Sequence, residues 1–132
     1  MQRLRAAYCL TIATAVTAMM TASAQAELLS SEAIRKLVVG KTFYLAAPLG
    51  GEFPLKYSAD GTVNGDGTAV GLGRFLATKE TGRWFIKDTL LCQQFKTWYS
   101  GERICFTLES LGADKYRWVR DNGESGIARL AP

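Results

Sequence analysis

An all-β fold, a small antiparallel meander barrel of seven to eight strands preceded by one short helix, is what this sequence predicts. Three observations carry that expectation. Turn signals recur at short intervals, at Gly50-Gly51, Asp60-Gly61, Asn64-Gly65-Asp66-Gly67, Gly71 to Gly73, Gly82, Ser100-Gly101, Gly112 and Asn122-Gly123, and such punctuation is what successive hairpins need. The runs between them alternate: Ile104, Phe106 and Leu108 oppose Cys105, Thr107 and Glu109, and Tyr116 and Trp118 oppose Lys115 and Arg117. Each such run offers one face to a core and one to water. Many short strands in one small domain also leave open edges unless the sheet closes, which favours a barrel. A two-sheet sandwich satisfies the same periodicity.

Taken in chain order, residues 1–26 read as a cleaved signal peptide. Arg3 and Arg5 precede an apolar run from Ala6 to Met20, and Ala24-Gln25-Ala26 supplies the small-residue cleavage pattern. The run is rich in Ala and Thr and shorter than the ~20 strongly apolar residues a spanning helix requires. No stable membrane anchor is therefore expected after cleavage, and the expected location is periplasmic or secreted. Residues 27–132 form a single domain. A helix is predicted from about Ser31 to Val39: Ser30 or Ser31 caps it, Glu32 suits its positive end, Ile34, Leu37 and Val38 recur at helical spacing, and Gly40 ends it. Strands follow near 41–47, 52–58, 61–64, 73–79, 83–88, 90–97, 103–110, 115–120 and 124–130, the third merging with a neighbour.

Cys9 leaves with the signal, so Cys92 and Cys105 are the only cysteines of the mature domain. An even count in an oxidising compartment predicts a disulfide. With residue 92 opposite residue 105, Thr97-Trp98-Tyr99-Ser100 becomes the turn and Gly101 takes a positive φ beside it. Cys92, Gln94 and Lys96 share a face, which places the bridge on the polar side of the hairpin. Closing so short a loop contributes roughly 3 kcal/mol in the chain-entropy model.

Composition removes several function classes. Arg3 and Arg5 account for two of the four net positive charges, and the remainder is mixed without a basic block, so nucleic acid is not an expected partner. The chain has no histidine, which rules out Ser–His and Cys–His nucleophile pairs and a histidine zinc site. Gly40-Lys41-Thr42 resembles the end of a phosphate loop, but Arg35 stands where that motif needs glycine, and a helix precedes it. The Asp60-Gly61 and Asn64-Gly65-Asp66-Gly67 pair lacks the alternating oxygens of a calcium loop, Thr62 and Val63 interrupting it; two turns account for it. Asp60, Asp66, Glu80, Asp88, Asp114, Asp121 and Glu124 fall mostly in or beside predicted turns, where acids are common for backbone reasons. A non-enzymatic protein without metal or cofactor is expected.

The aromatic residues are the remaining candidates. Trp84, Phe106, Tyr116 and Trp118 are expected to fill the core or line the barrel, whereas Trp98 and Tyr99 sit at a hairpin tip, where large rings either fold back or serve as binding anchors. Trp84, Trp98, Tyr99 and Trp118 are thus the candidate contacts for a ligand or partner.

Gly40-Lys41-Thr42, Tyr57, Asp60-Gly61, Gly82-x-Trp84, Leu91-Cys92, Cys105, Tyr116 and Gly123 follow one another in an order that resembles a group of small exported proteobacterial proteins known only as a domain of unknown function. The resemblance spans nearly all of residues 27–132, with the glycine-rich stretch from Gly65 to Gly73 as a departure. It implies an envelope location and a small β domain, and it transfers no active site.

Two functions follow as expectations. One is a binding protein with a lipocalin-like barrel that takes a small apolar or amphipathic molecule among its aromatic residues. The other is an inhibitor or interaction module acting on an envelope enzyme: small disulfide-bonded barrels look like bacterial inhibitors of metalloproteases, and Ser125-Gly126-x-x-Arg129 resembles the insertion loop of periplasmic lysozyme inhibitors. The protein recovered from its cell envelope is expected to begin at Glu27, as read by intact mass; a species retaining Met1 would overturn the export reading.

Overall fold

A computed structural model describes residues 27–46, 51–68 and 78–132. The predicted signal peptide and most of the strand expected at 73–79 lie outside these residues. The described chain runs β1 (Glu27–Leu28), α1 (Ser31–Val38), β2 (Thr42–Ala46), β3 (Glu52–Tyr57), β4 (Thr62–Asp66), β5 (Lys79–Lys87), β6 (Leu90–Gln94), β7 (Ile104–Gly112), β8 (Lys115–Arg120) and β9 (Ser125–Ala131). From β2 to β9 every strand pairs antiparallel with the next, and β9 returns to pair with β2 through Thr42↔Ala131, Phe43↔Leu130, Tyr44↔Arg129 and Leu45↔Ala128. The sheet is therefore a closed eight-stranded up-and-down barrel, and closure excludes the sandwich. The two-residue β1, which the sequence reading did not include, pairs with β7 at Glu109 and Ser110, past the point where β6 begins.

One end of the barrel is sealed by local chemistry. The Ser30 side chain accepts from the Ala33 N–H at 3.2 Å to cap α1, and Gly40, at φ +74, turns the chain into β2. Ile34 and Val38 stand four residues apart on one helical face and are fully buried, so α1 closes this end as a stopper. At the same end the β3–β4 turn is tied by Asp60, whose Oδ1 accepts from the Thr62 N–H at 2.9 Å and its hydroxyl at 2.7 Å. Trp84 docks there, donating its indole N–H to the Ser58 carbonyl at 2.8 Å.

The interior is built from the inward residues of every strand. Phe43 and Trp84 each meet Tyr57 edge to face, at 5.8 and 5.9 Å between centroids. Among them lies one buried polar pair: the Tyr57 hydroxyl donates to Gln93 Oε1 at 2.7 Å. Burial, with the neighbouring Tyr99 adding to it, holds the Tyr57 phenol protonated far above its ordinary range, so this bond keeps its donor at any physiological pH.

Three sequence expectations are corrected. Asn64-Gly65-Asp66 does not turn; it continues β4, with Gly65 opposite Glu80. A Cβ at Gly65 would fall on the Trp98 ring, so glycine is required there by the approach of Trp98. Gly82 likewise lies inside β5, which joins the expected 83–88 strand to the residues before it; a Cβ there would sit 2.5 Å from the Gln94 carbonyl oxygen and 2.8 Å from Phe95 Cδ1. Both glycines mark close packing that resembles a turn signal when only composition is read. The third concerns the disulfide. Cys92 and Cys105 are bonded, in direct register with Cα atoms 4.0 Å apart, and they face away from the interior as alternation requires. They are nevertheless buried rather than wet, because each sulfur shields the other and Phe85 is the paired neighbour of Cys92 on that face.

Gly65→Ala is expected to lower unfolding stability by roughly 1–3 kcal/mol, because the added methyl overpacks Trp98; urea titration measures it, and an unchanged midpoint would refute the packing argument.

Candidate functional site

Antiparallel pairing puts the tight turns at the α1 end and the longer connections at the other. Between β4 and β5 the chain takes residues 67–78, and between β6 and β7 it takes 95–103. Long connections on a rigid frame are where binding residues concentrate.

The β6–β7 connection folds back over this mouth. Trp98 is only 2% exposed and packs against Phe53 and Phe95, at 5.2 and 4.9 Å between centroids. Glu80, facing inward from β5, holds the turn: its Oε1 accepts from the Thr97 N–H and hydroxyl, both at 2.9 Å, and its Oε2 from the Trp98 N–H at 3.0 Å. Burial pushes the Glu80 carboxyl up, but the bonds from Trp98 and Thr97 outweigh it and keep the group below its ordinary value of 4.5. The turn then takes three left-handed residues in succession, Tyr99 and Ser100 at φ 56 and Gly101 at φ 70. For the two non-glycine residues this costs about 1 kcal/mol or more each, which Glu80 and the adjacent disulfide hold in place. The sequence reading anticipated the positive φ at Gly101 but not at the two residues before it.

Tyr99 emerges at the rim, 38% exposed. The Arg120 guanidinium lies over its ring, 5.3 Å from the centroid. Arg120 ends β8 on the inward face, two residues beyond Trp118 and four beyond Tyr116. Its Nη1 donates to Glu124 Oε2 at 3.1 Å, and the same oxygen accepts from Asn122 Nδ2 at 3.1 Å. Trp118 lies flat on its cross-strand neighbour Gly126, where a Cβ would be 2.6 Å from Cζ2.

The inward residues on this side stay less buried than most of those on the other strands. Tyr116 and Trp118 on β8, Leu130 on β9 and Leu45 on β2 pack against the core but stay only partly buried. They neighbour Gly126 and Ala128, the two smallest inward residues of β9, and Arg120 and Tyr99 meet at the mouth end of this wall.

A separate groove of about 380 Å³ lies on the outer surface, lined by Pro54, Lys56, Asn64, Asp66, Lys79 and Thr81 among others. Most of its polar groups serve one another: Asp66 pairs with Lys79 at 3.4 Å, and the Thr81 hydroxyl donates to Asn64. Little of that chemistry is left for a ligand.

Of the four aromatic candidates, Tyr99 meets the Arg120 guanidinium at the rim, and Trp118 lies two residues before Arg120 on the same inward face of β8. Trp84 and Trp98 lie elsewhere, in the core. Sequence reasoning missed Arg120, although it continues the inward alternation of Tyr116 and Trp118; it also missed the holding role of Glu80, which no local pattern announces. Among the described residues no three His, Cys, Asp or Glu side chains gather as metal ligands, and no helix is long and apolar enough to cross a membrane. No protein-family model, curated protein or solved structure matches the chain.

The depressed Glu80 value has a testable consequence. A group whose pKa is lowered on folding contributes stability above its unfolded value and loses it as pH falls through the folded one. Wild-type protein is therefore expected to lose stability between neutral pH and about pH 3 by more than Glu80→Gln does, as compared by urea midpoints; equal losses would show that this carboxylate does not fix the turn.

Proposed function

We propose that this protein is a non-enzymatic, exported binding protein that holds a small amphipathic molecule against the inner wall formed by β8 and β9. The observation that carries the reading is the partial burial of Tyr116, Trp118, Leu130 and Leu45 around Gly126 and Ala128, in a barrel whose inward residues on the opposite strands are mostly buried. Apolar walls with a few polar groups at the rim are the usual make-up of a small-molecule site. The packed aromatic centre sets the depth: a ligand lies along one wall, with its polar end at the mouth. Export is supported by the disulfide, since such bonds persist in oxidising compartments.

A second reading, an inhibitor or interaction module for an envelope enzyme, is favoured by one feature. Tyr99 projects from a turn fixed by Glu80, by the Gln94 side chain donating to the Gly101 carbonyl at 2.8 Å, and by the disulfide at its base. A rigid aromatic anchor loses little entropy on docking. Trp98, the other residue of the hairpin-tip pair, folds back into the core, which leaves that surface with one anchor.

Native mass spectrometry of the protein taken from its own envelope is expected to show added mass on the order of a few hundred daltons, lost on unfolding, as a ligand of pocket size requires. Titration of purified protein with N-phenyl-1-naphthylamine is expected to change tryptophan emission through Trp118. A bare mass together with unaltered emission would remove the ligand reading and direct the search to a protein partner.

A further inference from the structure

The chain has two asparagines, Asn64 and Asn122, and each is followed by glycine. Asn-Gly is the dipeptide most given to spontaneous deamidation, because glycine has no side chain to hinder the attack of its own backbone nitrogen on the asparagine Cγ. Both asparagines are exposed. The backbone around each glycine therefore decides which of the two reacts.

Ring closure needs the glycine nitrogen to turn toward the side chain. At Asn64 it is held: Asn64 pairs with Lys56 and Thr81, and Gly65 with Leu55 and Glu80, so both residues lie inside the sheet with a strand on either side. Gly65 is buried beneath Trp98, and the Asn64 Oδ1 accepts from the Thr81 hydroxyl. Closing the ring there requires β4 to leave its neighbours. Asn122 and Gly123 sit instead in the exposed turn between β8 and β9, with Gly123 at φ +89 and open space where a Cβ would stand. Among the described residues one backbone bond restrains the nitrogen, from the Gly123 N–H to the Arg120 carbonyl at 2.9 Å, and a bond in an exposed turn opens at small cost. The electrophile is already polarised, because Asn122 Oδ1 accepts from the Glu124 N–H at 3.0 Å. That donor stands where negative charge grows as the nitrogen attacks.

We infer that Asn122 is a modification site at which the folded protein deamidates spontaneously, and that Asn64 is protected. The Gly123 nitrogen bonds to Asn122 Cγ and loses its proton, the Cγ–Nδ2 bond breaks, and ammonia leaves. Water then opens the resulting succinimide to aspartate or isoaspartate. No electrons change hands, and water is the co-reactant. The product bears on the barrel mouth. Asn122 Nδ2 and Arg120 Nη1 both donate to Glu124 Oε2, each at 3.1 Å. Deamidation replaces the first donor with a carboxylate, which repels Glu124 and competes with it for Arg120, the cation that backs Tyr99.

The test follows the folded, disulfide-bonded protein in mildly alkaline buffer by intact mass and peptide mapping, with the same chain in urea as the reference in which neither site is held. The folded protein is expected to gain about one dalton, the difference between amide and acid, in the peptide carrying residue 122. Its rate is expected to lie within about tenfold of that in urea, while Asn64 converts at least about tenfold more slowly than in urea, as their different opening costs require. Asn122→Gln, whose longer side chain disfavours ring closure, is expected to abolish the gain. Conversion of Asn64 as fast as in urea, protection of Asn122 equal to that of Asn64, or a gain that persists in Asn122→Gln would overturn the assignment. In deamidated protein the amides of residues 95–103 are expected to exchange with deuterium about threefold faster or more than in fresh protein; equal exchange would overturn the link to the mouth.

Discussion

The interior of this molecule exists because β9 returns to β2. The four pairs from Thr42↔Ala131 to Leu45↔Ala128 join the two ends of the described barrel, and they are among its least local contacts. Forming them closes a loop of most of the domain, an entropic cost that grows only slowly with loop length. In return no strand of the ring is left as an unpaired edge, and the inward residues of all eight strands share one volume. Without that pairing Phe43 and Leu45 would lose Ala128 and Leu130 as neighbours. The outer ion pair between Arg129 and Glu52, at 2.8 Å, and the Arg129 guanidinium 4.3 Å above the Tyr44 ring lie across the same junction. Both are exposed, so they add little beside the ladder they cross.

Filling a closed barrel with aromatic rings requires small residues opposite large ones. The protein does this with glycine, Gly65 beneath Trp98, Gly82 beneath Phe95 and Gly126 beneath Trp118. The two tryptophan sites differ in outcome. Trp98 is drawn in by its neighbours Phe53 and Phe95 and fixed at the backbone by Glu80, so its side of the mouth is closed. Trp118 has no comparable lock: its indole N–H is unsatisfied, and Ala128, the next inward residue of β9, is too small to continue the packing. The same device of ring on glycine thus produces a plug on one side and a partly buried wall on the other.

The parts of this architecture set by short-range chemistry were legible in the sequence. The Ser30 cap and the Gly40 stop gave the helix, strand alternation gave the inward faces of β7 and β8, and the cysteine count together with hairpin logic gave the register of residue 92 against residue 105. What failed was the reading of glycine. At Gly65 the residue answers to the Trp98 ring and at Gly82 to the Gln94 carbonyl and the Phe95 ring, from the end of β6 and the turn beyond it, and nothing in the adjacent sequence distinguishes that need from a turn. The burial of the disulfide was missed for the same reason: alternation tells which way Cys92 points, but not that Phe85 stands beside it. Arg120 was legible in principle, since it lies on the same alternating face as Tyr116 and Trp118. A charged residue at an inward position near a strand end reads as frayed and solvated until the opposite turn is seen to place Tyr99 against it.

The polar and charged groups at inward positions of the barrel each have a structural task. The buried Tyr57–Gln93 pair is satisfied on its donor side, and burial keeps Tyr57 neutral, so the pair fixes two strands without demanding anything from outside. Glu80 is equally complete, its carboxylate receiving three donors from one turn. Arg120 differs in kind: it is a permanent cation, mostly covered, at an inward position where an apolar residue would pack against Phe106 without the cost of desolvating a charge. Its contacts give it a structural task at the mouth: through Tyr99 it ties the end of β8 to the β6–β7 turn, and through Glu124 to the turn that leads into β9.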